Sequence, residues 1–110
     1  MGVEFDSSRL DEIGAEAPGL VSELVALFSS DVADRLASLR EAIESGDHES
    51  TKRAAHGIKG AAINIGAGGL ATLAEAIEYG EQGVEPGHST EEMQNEFEAV
   101  RAILVERYCG

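Results

Sequence analysis

Apolar residues recur at every third or fourth position along most of the chain, a spacing that places them on one face of an α-helix. The longest run predicts a helix from Pro18 to about Ser45, because proline suits the first turn of a helix and Gly46 is typical of a helix end. The predicted apolar stripe of this helix is Leu20, Leu24, Leu27, Phe28, Val32, Leu36, Leu39 and Ile43.

The same spacing predicts a helix on each side of this long one. A short first helix can be capped by Asp6 or Ser7 and should end within residues 14–17. Asp47 can cap a third helix, which has the stripe Ala54, Ile58, Ala61, Ala62 and Ile65. The third helix should end at the glycine-rich stretch 66–69, which reads as a turn.

Two further helices follow this turn. A fourth has its apolar positions at Leu70, Leu73, Ala74 and Ile77. Ser89 and Glu92 form a capping box that predicts the start of the last helix. The stripe of that helix is Met93, Phe97, Val100, Ile103 or Leu104, and Tyr108.

These elements predict an all-α fold that forms one domain over residues 1–110. Because short connections favour antiparallel neighbours, we expect an up-and-down antiparallel four-helix bundle with a short additional N-terminal helix across one end. The alternating runs of a sheet-based fold are absent from the sequence.

Composition and charge exclude several classes of function. No apolar run approaches the roughly 20 residues of a membrane span, and the start lacks the features of a signal peptide, so we expect a cytoplasmic protein with no membrane association. The formal net charge of −13 argues against nucleic acid as a partner, since its binders need basic surface. No phosphate loop of the GxxxxGK type is present to indicate a nucleotide-binding enzyme.

No metal site is expected either. The one cysteine, Cys109, cannot form an intrachain disulfide or a cysteine-based zinc site. His48 and His56 are about 12 Å apart along a helix, and His88 falls in a predicted turn, so no histidine pair has the spacing of metal ligands on one helix face.

His56 is the residue with the clearest chemical potential. At helical pitch it lies roughly 180° from the centre of the apolar stripe of the third helix, so we expect its ring to be exposed. Lys59 and Gly60 follow one turn later on the same surface, and Gly60 has no side chain to cover the ring. Gly57 is a second glycine beside His56, although glycine in a helix interior costs about 1 kcal/mol relative to alanine.

The surroundings of His56 suggest that another protein docks there. Ile63 adds an exposed apolar side chain two turns further on, and Lys52 and Lys59 place positive charge near the ring of a strongly acidic chain. An incoming anionic group would meet these two lysines first, and Lys59 is the better placed to contact a phosphoryl oxygen. From spacing alone, a functional site and an ordinary solvated helix surface both remain open.

The motif around His56 resembles that of histidine-containing phosphotransfer (HPt) domains. The family pattern of His, any residue, an aliphatic residue, Lys and Gly, followed by an aliphatic residue, Gly and Ala, stands here as residues 56–60 and 65–67. The resemblance also extends to the Leu-rich second helix and to the segment after the glycine turn. The chain is therefore expected to relay a phosphoryl group between receiver-domain aspartates in a multistep two-component phosphorelay.

The resemblance implies a role for each part of the site. His56 would be phosphorylated, Lys59 would stabilise the phosphoryl group, and Gly57, Gly60, Ile63 and Lys52 would give clearance and docking. The partners would be response-regulator receiver domains and a sensor histidine kinase of the simple or hybrid type. The chain itself would bind no cofactor and would be a monomeric carrier without a kinase catalytic domain, with Mg²⁺ supplied by the receiver.

Glu78 departs from the pattern, because related domains often have glutamine at the corresponding position. Its carboxylate could orient the imidazole, or it could be a solvated side chain without a role. Two other functions also stay open, namely a helical-bundle adaptor that binds a receiver or kinase domain without phosphorylation, and a phosphoacceptor fragment of a CheA-type kinase.

Overall fold

The computed structural model describes residues 4–80 and 86–109, with the side chains of 86–89 outside the described set. Within these ranges all regular structure is helical, which confirms the predicted all-α class. The helices are α1 (Ser8–Glu16), α2 (Pro18–Ser45), α3 (His48–Ile65), α4 (Gly68–Glu78) and α5 (Pro86–Leu104), and a π-helical turn follows at Val105–Cys109. None of the helices within the described ranges is long and apolar enough to cross a membrane.

Most helix ends lie where local chemistry predicts them. Gly46 and Gly66 end α2 and α3 in the left-handed conformation, with φ values of 73° and 89°, which glycine adopts without steric cost. Asp47 caps α3 by accepting a hydrogen bond from the backbone N–H of Ser50 at 3.1 Å. At α1, Asp6 accepts from the backbone N–H of Ser8 at 2.9 Å.

The predicted start of the last helix was wrong. α5 begins at Pro86, three residues before the expected cap at Ser89. Proline provides a different start signal, since its fixed φ suits the first turn and its missing N–H needs no partner there.

The core contains one side of each helix. α2 packs on α3 and α5, α4 packs on the same two helices, and α1 packs on α2. The rings of Phe28 and Phe97 meet edge to face in this core, with centroids 5.9 Å apart.

The buried face of α2 differs from the predicted one in its first half. The buried positions are Val21, Val25, Phe28, Val32, Leu36, Leu39 and Ala42. Val21 lies close to Gly14 of α1, where a Cβ would be 3.4 Å from its Cγ2. Val21 therefore packs against α1, and two leucines predicted for the core turn outward, with Leu20 47% and Leu27 66% exposed.

The N-terminal segment, residues 4–6, docks on the turn between α3 and α4. The N–H of Asp6 donates to the carbonyl of Gly66 at 2.8 Å, and the N–H of Gly69 donates to the carbonyl of Glu4 at 3.2 Å. A Cβ at position 66 would overlap the carbonyl oxygen of Asp6. Gly66 is therefore required by its backbone conformation and by this close approach.

Candidate functional site

His56 lies on the outer face of α3, and 68% of its side chain is exposed. Its Nδ1 is 2.6 Å from Oε2 of Glu78. Because a carboxylate can only accept a hydrogen bond, Nδ1 carries the proton and Nε2 of the neutral ring has a free lone pair. Among the described residues, Nε2 makes no hydrogen bond. The exposed nitrogen of the ring is therefore the nucleophilic one.

Glu78, the last residue of α4, joins His56 to Lys59. Its side chain is only 15% exposed, and its Oε1 is 3.0 Å from Nζ of Lys59. Oε1 is buried and the contact does not have the angles of a well-formed hydrogen bond, so we describe it as an ion pair. Glu78 is thus a fixed bridge between the two residues rather than a solvated side chain.

The charges of this bridge are mutually stabilised. The Lys59 ammonium, followed by the hydrogen bond with His56, lowers the pKa of the Glu78 carboxyl, while burial opposes this shift. Glu78 in turn raises the pKa of Lys59. The ammonium also lies 5.1 Å from the centre of the Tyr79 ring, a cation–π contact. Lys59 is thus held by Glu78 and Tyr79 rather than freely solvated.

The two glycines near His56 differ in what surrounds them. Nothing lies within 4 Å of the position that a Cβ would take at Gly60, so the surface beside the ring is open there. At Gly57 the space is filled by the guanidinium of Arg35 from α2, whose Cζ would lie 2.9 Å from a Cβ. Sequence reasoning missed Arg35, although a glycine inside a helix often signals close approach by another group.

A groove of about 550 Å³ runs between α1, α2 and α3 beside His56, and we refer to it as the α2–α3 groove. Gly57 and Gly60 line it on the α3 side, and Leu24 and Leu27 line it on the α2 side. The outward turn of the leucines therefore adds apolar surface to this groove.

The other predicted docking residues are accessible. Ile63 is 62% exposed, and Lys52 is also exposed, but neither lines the groove. No three His, Cys, Asp or Glu side chains converge as metal ligands anywhere in the described ranges. The site therefore consists of an imidazole with its bridging carboxylate, an ammonium and an accessible apolar surface.

Comparison with known proteins identifies the family of the chain. The Hpt domain model matches residues 23–103. The chain belongs to the Hpt domain family. Its structure is also similar to the crystal structure of histidine-containing phosphotransfer protein B (HptB) from Pseudomonas aeruginosa PAO1, with a TM-score of 0.85 and 28% sequence identity over 96% of this chain and 94% of that chain. No curated protein matches the chain significantly.

Membership of the Hpt family supports a phosphotransfer role in a phosphorelay and confirms the predicted resemblance. Hpt proteins are phosphocarriers that interact with receiver domains and histidine kinases. The motif of the family has two separate physical functions here. Within residues 56–60, His56 and Gly60 are exposed while Ile58 packs in the core, whereas Gly66 provides the turn on which the N-terminal segment docks.

Proposed function

We propose that the chain carries a phosphoryl group on Nε2 of His56 and relays it between the aspartates of receiver domains. The observation that supports this most directly is the hydrogen bond between Nδ1 and Glu78, which leaves the opposite nitrogen of an exposed ring free. A neutral imidazole needs no base to become nucleophilic.

The transfer is balanced without a further reactant. The Nε2 lone pair forms the N–P bond while the bond between phosphorus and the acyl oxygen of the donor aspartate breaks, and the aspartate leaves as a carboxylate. The ring retains the proton on Nδ1 and becomes a positively charged phosphoimidazolium. Glu78 hydrogen-bonds that proton on the side of the ring away from the phosphoryl group, so its negative charge stabilises the ring.

Lys59 has two partners in this proposal. In the resting protein its ammonium neutralises Glu78, from which it lies 3.0 Å away. Once His56 carries the phosphoryl group, the ammonium shares its charge with the phosphoryl oxygens. Because loose phosphoryl transfer depends mainly on positioning and charge stabilisation, the receiver supplies the Mg²⁺ and this chain needs no cofactor of its own.

We also propose that the helices form an up-and-down four-helix bundle over one domain, residues 1–110, with α1 as the additional helix. Two contacts between α2 and the C-terminal part support an antiparallel pair. Ser22, near the start of α2, donates to the carbonyl of Tyr108 at 3.1 Å. Arg40, near its end, donates to Gln94 at 2.8 Å. The two-residue connections at 46–47 and 66–67 favour the same arrangement for α3 and α4.

Receiver domains would dock on the surface formed by the α2–α3 groove, Lys52 and Ile63. The apolar walls of the groove favour an apolar contact. We expect the positive charges of Lys52 and Lys59 to attract the incoming phosphoryl group. We expect a sensor histidine kinase to supply the phosphoryl group that enters the relay. We expect this chain to act as a cytoplasmic monomeric carrier without catalytic kinase activity.

Transfer of label from a phosphorylated receiver domain tests the proposal. The wild-type chain should acquire a label that is labile in acid and stable in base, as expected for phosphohistidine, and His56→Gln should acquire none. His48→Gln is the matched control, because it removes a second exposed histidine of α3 and should be labelled normally. Binding of the receiver without any label would favour the adaptor function instead.

Gly60→Leu tests the docking surface. Because nothing lies within 4 Å of a Cβ at this position, the leucine should fit without unfolding α3. It would project beside His56 and hinder the receiver, so transfer should fall while the circular dichroism of the helices stays unchanged. Wild-type transfer rates in Gly60→Leu would refute the proposed docking surface.

A further inference from the structure

Arg35 extends from α2 to α3 and lies against the residue that follows the phosphoacceptor. Its guanidinium fills the space over Gly57, where a Cβ would be 2.9 Å from Cζ and would overlap Nη1. Its Nε donates to both carboxylate oxygens of Asp31, at 3.1 and 3.0 Å. The side chain is therefore fixed from two directions, by its own helix and by the glycine opposite.

The ion pair with Asp31 uses only the Nε–H of the guanidinium. Asp31 occupies the Nε edge, and among the described residues the two Nη groups make no hydrogen bond. The side chain is 43% exposed, and it lines the α2–α3 groove together with Leu24 and Leu27. The guanidinium thus presents free, pre-oriented donors at the edge of an apolar groove.

The α2–α3 groove carries more positive than negative charge, although the chain as a whole is acidic. The sequence has a formal net charge of −13, yet the groove is lined by two arginines, Arg35 and Arg9, against the single carboxylate of Asp31. A planar guanidinium with free Nη groups matches a carboxylate in a two-point geometry. The groove is therefore suited to a partner that combines apolar side chains with a carboxylate.

We propose that Arg35 is a specificity-determining residue for receiver docking, in which its free Nη groups bind a carboxylate of the docked receiver domain. This role rests on the proposed function, since Arg35 would help the chain to recognise the receiver domain with which it exchanges the phosphoryl group. Gly57 follows His56 by about 100° around α3, so Arg35 lies on the groove side of the imidazole rather than beside Lys59 and Glu78. Arg35 would therefore affect the affinity for the receiver and not the chemistry at His56.

The first test measures binding without transfer. From a panel of receiver domains encoded in the same genome, the one that transfers its phosphoryl group fastest to the wild-type chain is chosen. Its dissociation constant is then measured with chains that carry His56→Gln, so that no transfer occurs. Arg35→Ala should raise this constant about three- to tenfold, and the effect should shrink in high salt. Arg35→Lys, which keeps the charge and loses the planar fork, should have an intermediate effect. Arg101→Ala is the matched control, because Arg101 is exposed on α5 and does not line the groove.

A second test uses transfer in the chain with His56 intact. Arg35→Ala should raise KM for the phosphorylated receiver and leave kcat and the lifetime of phosphohistidine unchanged. A role in stabilising the phosphoryl group would instead lower kcat or shorten that lifetime, and this result would overturn the proposal.

Gly57→Ala disturbs Arg35 without changing its charge. The added methyl group must displace the guanidinium, which lies at the far end of a long side chain and can shift without moving the backbone, so the helix should form normally. We expect the same increase in the dissociation constant as for Arg35→Ala, and no additional increase in the double variant.

Failure of the inference differs from failure of the proposed function. If the wild-type chain is labelled on His56 but Arg35→Ala and Arg101→Ala bind the receiver equally well, Arg35 has no role in recognition and the proposed function stands. If no receiver labels His56, the proposed function fails. In that case, weaker receiver binding by Arg35→Ala than by Arg101→Ala would still support recognition by Arg35. If the wild-type chain does not bind any receiver, both the proposed function and the role of Arg35 are overturned.

Discussion

Replacement of Gly66 by alanine would show how much the docked N-terminal segment contributes to stability. Gly66 has a φ of 89°, and a Cβ there would overlap the carbonyl oxygen of Asp6. Gly46 is a matched control, because it also ends a helix in the left-handed conformation, with a φ of 73°, and has nothing within 4 Å of its Cβ position. Both alanine variants adopt an unfavourable backbone conformation, but only Gly66→Ala must also displace the segment.

The expected magnitudes follow from these contacts. The left-handed conformation should cost each variant about 1 kcal/mol. At Gly66, release of the segment loses two backbone hydrogen bonds at about 1 kcal/mol each and the packing of the partly buried Phe5 at about 1.5 kcal/mol. Release also returns about 2.5 kcal/mol of conformational free energy for the three residues 4–6. The net cost of releasing the segment is therefore about 1 kcal/mol. The overlap at position 66 cannot cost more than this, because the segment detaches instead, so Gly66→Ala loses about 1 kcal/mol more than Gly46→Ala.

Urea denaturation followed by circular dichroism measures both variants. We expect a loss of about 1 kcal/mol in the free energy of unfolding for Gly46→Ala and about 2 kcal/mol for Gly66→Ala. In a chain that lacks residues 1–6 the extra cost at Gly66 should disappear, because nothing is left to displace. Equal losses in the full chain, or an extra cost that persists in the shortened one, would refute the reasoning.

Three further predictions concern the site, the apolar surface and the pH dependence of stability. Glu78→Ala should slow phosphoryl transfer about tenfold, because it frees the imidazole and unpairs Lys59. Glu78→Gln keeps an acceptor for Nδ1 and should slow transfer less. Equal rates for the two variants in stopped-flow transfer assays would exclude an orienting role of Glu78. Leu27→Ser should raise KM for the receiver and change the free energy of unfolding by less than about 0.5 kcal/mol, while Leu20→Ser, outside the groove, should leave KM unchanged. Hydrogen bonds, chiefly with Arg107, lower the pKa of Asp11 from 3.8 to about 2, so its stabilising effect is complete above about pH 4 and is lost as the pH falls toward 2. Urea denaturation from pH 2 to 6 should therefore show wild type and Asp11→Asn converging at the acid end, and a constant difference across the range would contradict this assignment.

The ends of several helices could be predicted because their causes are local. Pro18 starts α2, Gly46 ends it, and Asp47 caps α3, each through groups no more than a few residues away. The exposure of His56 is equally local, because the angle between its side chain and the stripe of α3 depends only on helical pitch. At the last helix two local signals competed, and Pro86 rather than Ser89 began it.

The buried face of α2 could not be chosen in the same way. Its first half has valines and leucines on adjacent faces, and both sets recur at helical spacing. Which set packs inward depends on how closely α1 approaches, as the contact between Gly14 and Val21 illustrates. The apolar wall of the groove at Leu27 is a result of that choice.

By itself, the sequence determined that this chain is helical, where most of its helices end, and that an imidazole with a nearby lysine faces outward from α3. Only the tertiary structure decided that Glu78 bridges His56 and Lys59, and that Arg35 covers Gly57. These contacts join residues about 20 positions apart on different helices. They depend on the relative rotation and axial offset of packed helices, which are determined by the packing of the whole core rather than by the residues that meet.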